Sequence, residues 1–280
     1  MIYKILKKLE NHEPFSKLFN FIRYKKYINK KTRKIKKNLI FRKSKYPSVV
    51  LELETKGYYV EHNFISKDLC KNLIAIMDNF IEHNPDKIWK DKIGSDCRVF
   101  GMENVSKEMN ILSKKQYPIV IGADYMKTPI DLLMMMGNRL VYKDTNLGSG
   151  GGWHKDSYSK QYKTILYLND VTDENGPFEL VLNSNKLLFN FNLFFKTNKK
   201  FPDTRFDNNE VMNIINFNKK KILRITGKAG TLILVDTSLL HRGSPVKKGT
   251  RYALTNYFYP PYELHMHQTS FVPRISHPLY

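Results

Sequence analysis

The sequence predicts an α+β domain with a β-sandwich or jelly-roll core flanked by helices, and three observations carry that prediction. Short apolar or alternating runs recur after residue 138, at 139–143, 164–168, 178–182, 222–226, 231–235 and 251–259, each of strand length. Turn signals separate them, among them Asn175-Gly176 and Lys248-Gly249, which read as hairpin-type turns. The clearest helical periodicity lies upstream instead of alternating with the strands, which argues against a βαβ array.

In chain order, the first element is a basic helical arm. Residues 1–47 carry 16 Lys and Arg against Glu10 and Glu13, so about two thirds of the net charge of +21 sits in one sixth of the chain. Ile2, Ile5, Leu6 and Leu9 fall on one helical face and Lys4, Lys7 and Lys8 on another, followed by Phe15, Leu18, Phe19 and Ile22. Such a helix has three uses: packing on its own domain, lying on an anionic membrane or glycolipid surface, or following a nucleic-acid backbone. The stacking-aromatic modules and zinc patterns of nucleic-acid binders are missing, which weighs against the last use. Pro47 marks the boundary of the arm.

Residues 56–60 then read as a strand, and Ser66 as the N-cap of a helix with Asp68 in its first turn. Leu69, Leu73, Ile76, Met77 and Phe80 form its apolar stripe, and it stops before Pro85. After the third strand run, residues 187–220 are rich in Phe and Asn without clean periodicity, which fits a substrate-facing lid and an irregular surface excursion equally. The expected division is therefore an arm over 1–47, a main domain over 48–262 holding the 187–220 insertion, and a tail over 263–280. His265 and His267 in that tail have ligand-like spacing but lack an evident third partner. The apolar runs at 132–136 and 231–235 are far shorter than the ~20 residues that cross a bilayer. With no secretory signal and only Cys70 and Cys97, the expected location is cytoplasmic with reduced thiols, peripheral to a membrane where the arm docks.

The chemistry starts from GGWHKDS at 151–157. Chance alone gives roughly 0.7 copies of His-x-Asp/Glu in a chain of this composition, so the triplet needs support from elsewhere. On a strand, His154 and Asp156 would point to one side and Lys155 to the other. A third ligand is available in His241, and Arg251 opens a strand ten residues later. Two His and one carboxylate form the facial triad of non-haem Fe(II) oxygenases, with coordination positions left open. An arginine one strand further along suits a dicarboxylate co-substrate because its planar fork binds a carboxylate through two donors. The glycines at 148–152 lack the Lys-Ser/Thr of a phosphate loop and read as a flexible approach to the ligands.

These residues, in this order, resemble the phytanoyl-CoA dioxygenase family of Fe(II)- and 2-oxoglutarate-dependent oxygenases. The resemblance rests on Gly152-Trp-His-Lys-Asp156, on YLNDVTDENGP at 167–177, on Leu240-His241 and on Arg251-Tyr-Ala-Leu-Thr255, with a weaker match at KGYYVEHNFIS, 56–66. It spans about residues 50–260 and leaves out the arm. It implies a double-stranded β-helix core, the cupin-like jelly roll, with Fe(II) held by His154, Asp156 and His241. It further implies 2-oxoglutarate chelating the metal and pairing its C5 carboxylate with Arg251, O2 as second co-substrate, and release of succinate and CO2. Related halogenases lose the carboxylate ligand, so Asp156 favours hydroxylation. The chain departs from the family at Asn183-Ser-Asn-Lys186, where a Pro-Gly-Ser-His-type turn is usual, and at Gly243, where many members carry a serine near the co-substrate. Ser244 is then the candidate second contact. Arg98 and Tyr142 fall on strands that the resemblance places around the pocket. Trp153 reads first as packing and second as pocket lining. The implied substrate is a small molecule or a lipid- or glycan-linked one. A catalytically silent jelly-roll binding protein docked by its arm, or an oxygenase acting on nucleic acid, are the competing readings.

Overall fold

The computed structural model describes Glu13, residues 15–37, Leu39, and residues 44–197 and 199–280. The predicted stripe of Ile2, Ile5, Leu6 and Leu9 lies outside these residues.

Among the described residues, ten strands form two antiparallel sheets. The larger contains β1 (Tyr58–Glu61), β2 (Trp89–Lys90), β3 (Asp96–Phe100), β4 (Asp131–Val141), β5 (Tyr162–Tyr167), β8 (Leu232–Asp236) and β10 (Thr250–Tyr259), in the order β1-β8-β5-β10-β4-β3-β2. The smaller has β6 (Phe178–Val181) between β7 (Ile222–Ile225) and β9 (His241–Gly243). An isolated bridge from His154 to His241 adds the metal-motif segment to the edge of this smaller sheet. From β4 onward the chain keeps crossing between the two sheets. Asn175-Gly176 and Lys248-Gly249 are therefore turns between sheets and not hairpins within one: β5 and β6 lie in different sheets, as do β9 and β10. The Asn175 side chain accepts from Thr172 N at 2.7 Å and Gly176 takes φ +80°, so the turn chemistry is as read while the partners differ.

Helices cover the outer face of the larger sheet. α2 (Pro47–Lys56) and α3 (Lys67–His83) bury Val50, Leu53, Leu73 and Met77 against it, joined by Ile121 of α5 (Gln116–Met126), with α4 (Lys107–Ser113) contributing Met109. Pro47, expected as a boundary, opens α2 at a first-turn position, where its missing N–H costs nothing. The Ser66 cap is as predicted, its hydroxyl accepting from Leu69 N at 3.2 Å. β4 begins eight residues before the expected run, because Leu133–Met136 are buried beneath the covering layers and so show no alternation.

Three more helices close the smaller sheet. α1 (Phe15–Lys37) packs Tyr24 against Tyr158 and Phe194, and Phe21 edge-on to Phe191, alongside α6 (Leu187–Lys196) and α7 (Asn208–Asn218). Burying an aromatic side chain of this size stabilises by about 2–3 kcal/mol, so the described part of the arm is bound to its domain. The 187–220 insertion is two helices in the same aromatic layer, not an irregular excursion. α8 (Pro261–His267) and the following residues fold back, with Ile275 N donating to Phe100 O at 2.9 Å.

Candidate metal centre

His154 and His241 exchange both backbone hydrogen bonds, N to O at 2.9 Å in each direction. Residues paired this way present their side chains to one face, and the two rings stand 4.3 Å apart. Asp156, two residues on, turns to the same side. Its carboxylate lies 3.8 Å from His154 Nε2 and 3.6 Å from His241 Nε2. One ligand atom from each of the three falls within 4.8 Å of the others. The intervening Lys155 points the other way, donating to the carbonyls of Ser184 and Ser238 at 2.7 and 2.8 Å.

The protonation state suits a cation. His154 Nδ1 meets Gly152 O at 2.9 Å and His241 Nδ1 meets Leu239 O at 2.8 Å. A carbonyl only accepts, so each Nδ1 carries the proton and each Nε2 offers its lone pair to the shared space. Burial, then the neighbouring His241, lowers the His154 pKa to about 3, and burial lowers that of His241 as well. Burial opposes charge on Asp156, yet Lys163, His241 and His154 outweigh it and hold the carboxyl well below its usual range. The Lys163 ammonium sits 2.7 Å from Asp156 Oδ2.

The glycine run makes this approach possible. Gly150 has φ +89°, and a Cβ there would stand 2.3 Å from His154 Cε1; at Gly148, φ +72°, it would meet Gly243 O at 2.1 Å. The loop touches the ligands, so it is built for closeness to them.

A cavity of about 380 Å³ opens from the triad. On β10, Arg251, Thr255, Tyr257 and Tyr259 face into it, as the two-residue period requires. Arg251 is buried. It donates through Nη1 to Gly176 O and through Nη2 to Asn138 Oδ1 at 3.1 Å, while its Nε has no partner among the described residues. Asn138 in turn donates to Asp96 at 2.6 Å, and Asp96 holds Arg98. Among the described residues Arg251 thus has no carboxylate in direct contact, and burial lowers its pKa. An orphaned donor on a buried guanidinium fits an anion that completes it.

Arg98 lines the cavity, stacked over Trp89 with its centre 4.7 Å from the ring. Three expected pocket residues do not line it. Tyr142 is exposed at the end of β4 and donates to Asp144. Trp153 is buried in the aromatic layer beneath Arg242. Ser244 lies one step past Gly243, and the alternation along β9 turns it away; Gly243 lines the cavity instead. A Cβ on Gly243 would come within 2.8 Å of Ser149 Cβ, so Ser149 fills the room a serine at 243 would need. His265 and His267 stay outside the triad, with His267 stacked on Tyr259 at 4.0 Å.

Sequence reasoning missed Lys163, Tyr27, Lys31, Arg205 and Glu263, all of which line the cavity. Lys163 had a signal: it is in phase with Ile165, an inward residue of the same strand. The others come from the arm, the insertion and the tail, whose docking no local pattern reveals.

No family model and no curated protein matches the chain. Solved structures do. The fold is that of non-haem 2-oxoglutarate-dependent enzymes. The epimerase SnoN of nogalamycin biosynthesis, solved with Fe3+, alpha ketoglutarate and nogalamycin RO, superposes with TM-score 0.59 at 14% identity, covering 84% of this chain and 93% of that one. The carbocyclase SnoK from the same biosynthesis gives 0.57 at 15% identity over 85% and 94%. HygX from Streptomyces hygroscopicus, solved with nickel, 2-oxoglutarate and hygromycin B, gives 0.55 at 15% identity over 77% and 87%. Among the described residues no helix is long and apolar enough to cross a membrane.

Proposed function

We propose that the chain is an Fe(II)- and 2-oxoglutarate-dependent oxygenase of the phytanoyl-CoA dioxygenase type, with a double-stranded β-helix core, that hydroxylates a small molecule. The observation that carries this reading is the convergence of His154, Asp156 and His241 on one space, with Arg251 buried and under-partnered across the same cavity. The alternation of strands between two sheets supports the jelly-roll reading.

Each residue has a defined task. His154 and His241 offer Nε2, their Nδ1 protons fixed by the Gly152 and Leu239 carbonyls. Asp156 offers an ionised oxygen, oriented by Lys163. Arg251 would take the distal carboxylate of 2-oxoglutarate, using the Nε that has no partner, and Asn138 sets the tilt of its guanidinium. Tyr257, Tyr259 and Phe271 line the cavity and would limit water there. With metal, keto acid and dioxygen bound, the site supplies hydroxylation of a C–H bond coupled to breakdown of 2-oxoglutarate to succinate and CO2.

The catalytic unit is residues 48–262, with wall residues lent by the arm and the tail. SnoN and HygX were solved with nogalamycin RO and hygromycin B, which supports a small-molecule substrate. Lys26, Lys30, Arg33 and Lys37 line the outer face of α1, which supports contact with an anionic surface, and salt-sensitive binding to anionic vesicles tests that contact. The oxygenase reading is tested by succinate formation from 2-oxoglutarate on adding Fe(II). Turnover in the wild type and its loss in His241→Ala are expected; no turnover, or equal turnover in both, removes the reading.

A further inference from the structure

A second opening lies away from the metal cavity, between α1 and the domain on which it packs. It holds about 570 Å³, within the roughly 300–1,000 Å³ of small-molecule sites. Tyr24, Ile28, Lys31 and Ile35 of α1 form one wall, spaced by three or four residues and so on one helical face. Leu39 extends that wall, and the domain contributes Met126, Tyr158 and Leu187. From Lys25 to Lys36, both on the rim, α1 rises about 16 Å, so the groove is long as well as apolar. It does not run into the metal cavity. Between the two lies a gap of about 20 Å³ lined by Lys31, Lys160, Gln161 and Glu263, with room for about one water. Glu263 holds the Lys31 ammonium there at 2.7 Å. An aliphatic chain in the groove therefore stops short of the triad, and the groove is a site of its own.

The charge of the groove is one-sided. Lys25, Lys31, Lys36, Lys127, Lys160 and Lys186 line it, and among the described residues Asp236 is the one carboxylate on its wall. That carboxylate is already satisfied. It is fully buried and accepts from the Tyr125 hydroxyl at 2.7 Å, from Asn185 Nδ2 and Gln161 N at 3.1 Å each, and from Ser238 N at 3.0 Å. Lys31 has Glu263, and Lys127 has Glu54 at 3.0 Å. Lys160 is different. Its ammonium lies 4.1 Å from the centre of the Tyr125 ring and donates to Tyr125 O at 3.3 Å. The side chain is exposed where it lines the groove, and it meets no carboxylate among the described residues. The apolar wall and this cation at its inner end ask for one molecule that carries both a chain and an anion.

We infer that the groove binds a long-chain carboxylate, its chain along the Ile28 and Ile35 wall and its head on Lys160. A carboxylate on an ammonium makes a charge-assisted hydrogen bond, and the ammonium has donors left beyond the one that Tyr125 O accepts. The chain adds affinity in proportion to its length, roughly fourfold for each methylene buried. Lying between α1 and the domain, the ligand also covers apolar side chains of both.

The test is calorimetric titration of the full chain with dodecanoate, octanoate and dodecyltrimethylammonium, each below its micelle concentration. Dodecanoate is expected to bind at one per chain. Octanoate, with a shorter tail, and the cationic amphiphile, with an equal tail and the opposite charge, should each bind at least about tenfold more weakly. Lys160→Met should weaken dodecanoate about tenfold, the effect of one charge-assisted contact. Thr32→Trp, which fills the groove from its α1 wall, should weaken it at least as much. Both positions are exposed, so the variants report on binding in a folded protein. Equal binding of dodecanoate and dodecyltrimethylammonium, or dodecanoate affinity unchanged in Lys160→Met, overturns the inference. So does displacement of dodecanoate by 2-oxoglutarate in the Mn(II)-loaded protein, which would place the ligand at the metal. The inference stands apart from the oxygenase reading, and neither falls with the other.

Discussion

Replacing Arg251 with Met separates binding from stability in a way few positions do. The guanidinium is buried, yet its fixed contacts are one carbonyl, Gly176 O, and one amide oxygen, Asn138 Oδ1, and its Nε is unsatisfied. A buried charge held this loosely costs the apo protein free energy, because desolvation is only partly offset. Methionine fills similar volume without the charge, so the metal-free variant is expected to match or exceed the wild type in thermal stability. Binding behaves oppositely. A carboxylate on Arg251 would make two charge-assisted hydrogen bonds at about 1.5–3 kcal/mol each. Taking the lower value for both gives about 3 kcal/mol, or roughly 150-fold in Kd at 1.4 kcal/mol per tenfold. Calorimetric titration of the Mn(II)-loaded protein with 2-oxoglutarate measures this directly. A Kd within threefold of the wild type, in a folded variant, refutes the assignment of Arg251. A large loss of apo stability refutes the description of its charge as under-compensated.

Other consequences are sharper for being local. Gly150→Ala puts a Cβ against the His154 ring at a backbone φ of +89°, so metal affinity should fall at least about tenfold with the fold kept, as read by competition with a chelating dye. Tyr24→Ala removes the residue that ties α1 to Tyr158 and Phe194, and urea denaturation should show a loss of about 3–5 kcal/mol, whereas a loss under 1 would mean the arm is not bound. Burial pushes the Cys70 thiol up to about 11 from its ordinary 9.0. Its thiolate fraction at pH 8 is then roughly a hundredfold lower than in the open chain, and a thiol reagent should modify it only on unfolding. The same shift has a pH signature: an acid whose pKa is raised on folding contributes its stability below pH 9, and that contribution is lost as pH climbs toward 11.

What the sequence disclosed and what it withheld follow from the range of the forces involved. His154 and Asp156 were readable because i and i+2 share a side wherever the chain is extended, although the segment holds an isolated bridge to His241 and not the strand expected, and Ser66 because a cap acts over three residues. The strand runs were readable wherever one face is wet. They failed at Leu133–Met136, where burial on both faces erases alternation. Ser244 lies one residue past β9 and one step out of phase with His241 and Gly243, and a single step reverses the face; Tyr142 keeps the phase of Met136 and Asn138 but lies just past the end of β4, where it is exposed. The walls built by Tyr27, Lys31 and Glu263 depend on where a helix at each chain end docks, a tertiary event with no local pattern. Lys163 shows the intermediate case. Its inward phase was present in the sequence, but a lysine at the head of an apolar run reads as a solvated end until Asp156 is seen beside it.

The most direct measurement is an anaerobic titration of the Fe(II)-loaded protein with 2-oxoglutarate, followed by the visible charge-transfer band of a keto acid chelated to ferrous iron. A metal held by His154, Asp156 and His241, with neighbouring positions open, predicts a band that saturates at one equivalent and is absent in His241→Ala. A folded wild-type protein that shows no band under excess of both, or a band that persists unchanged in His241→Ala, contradicts the account.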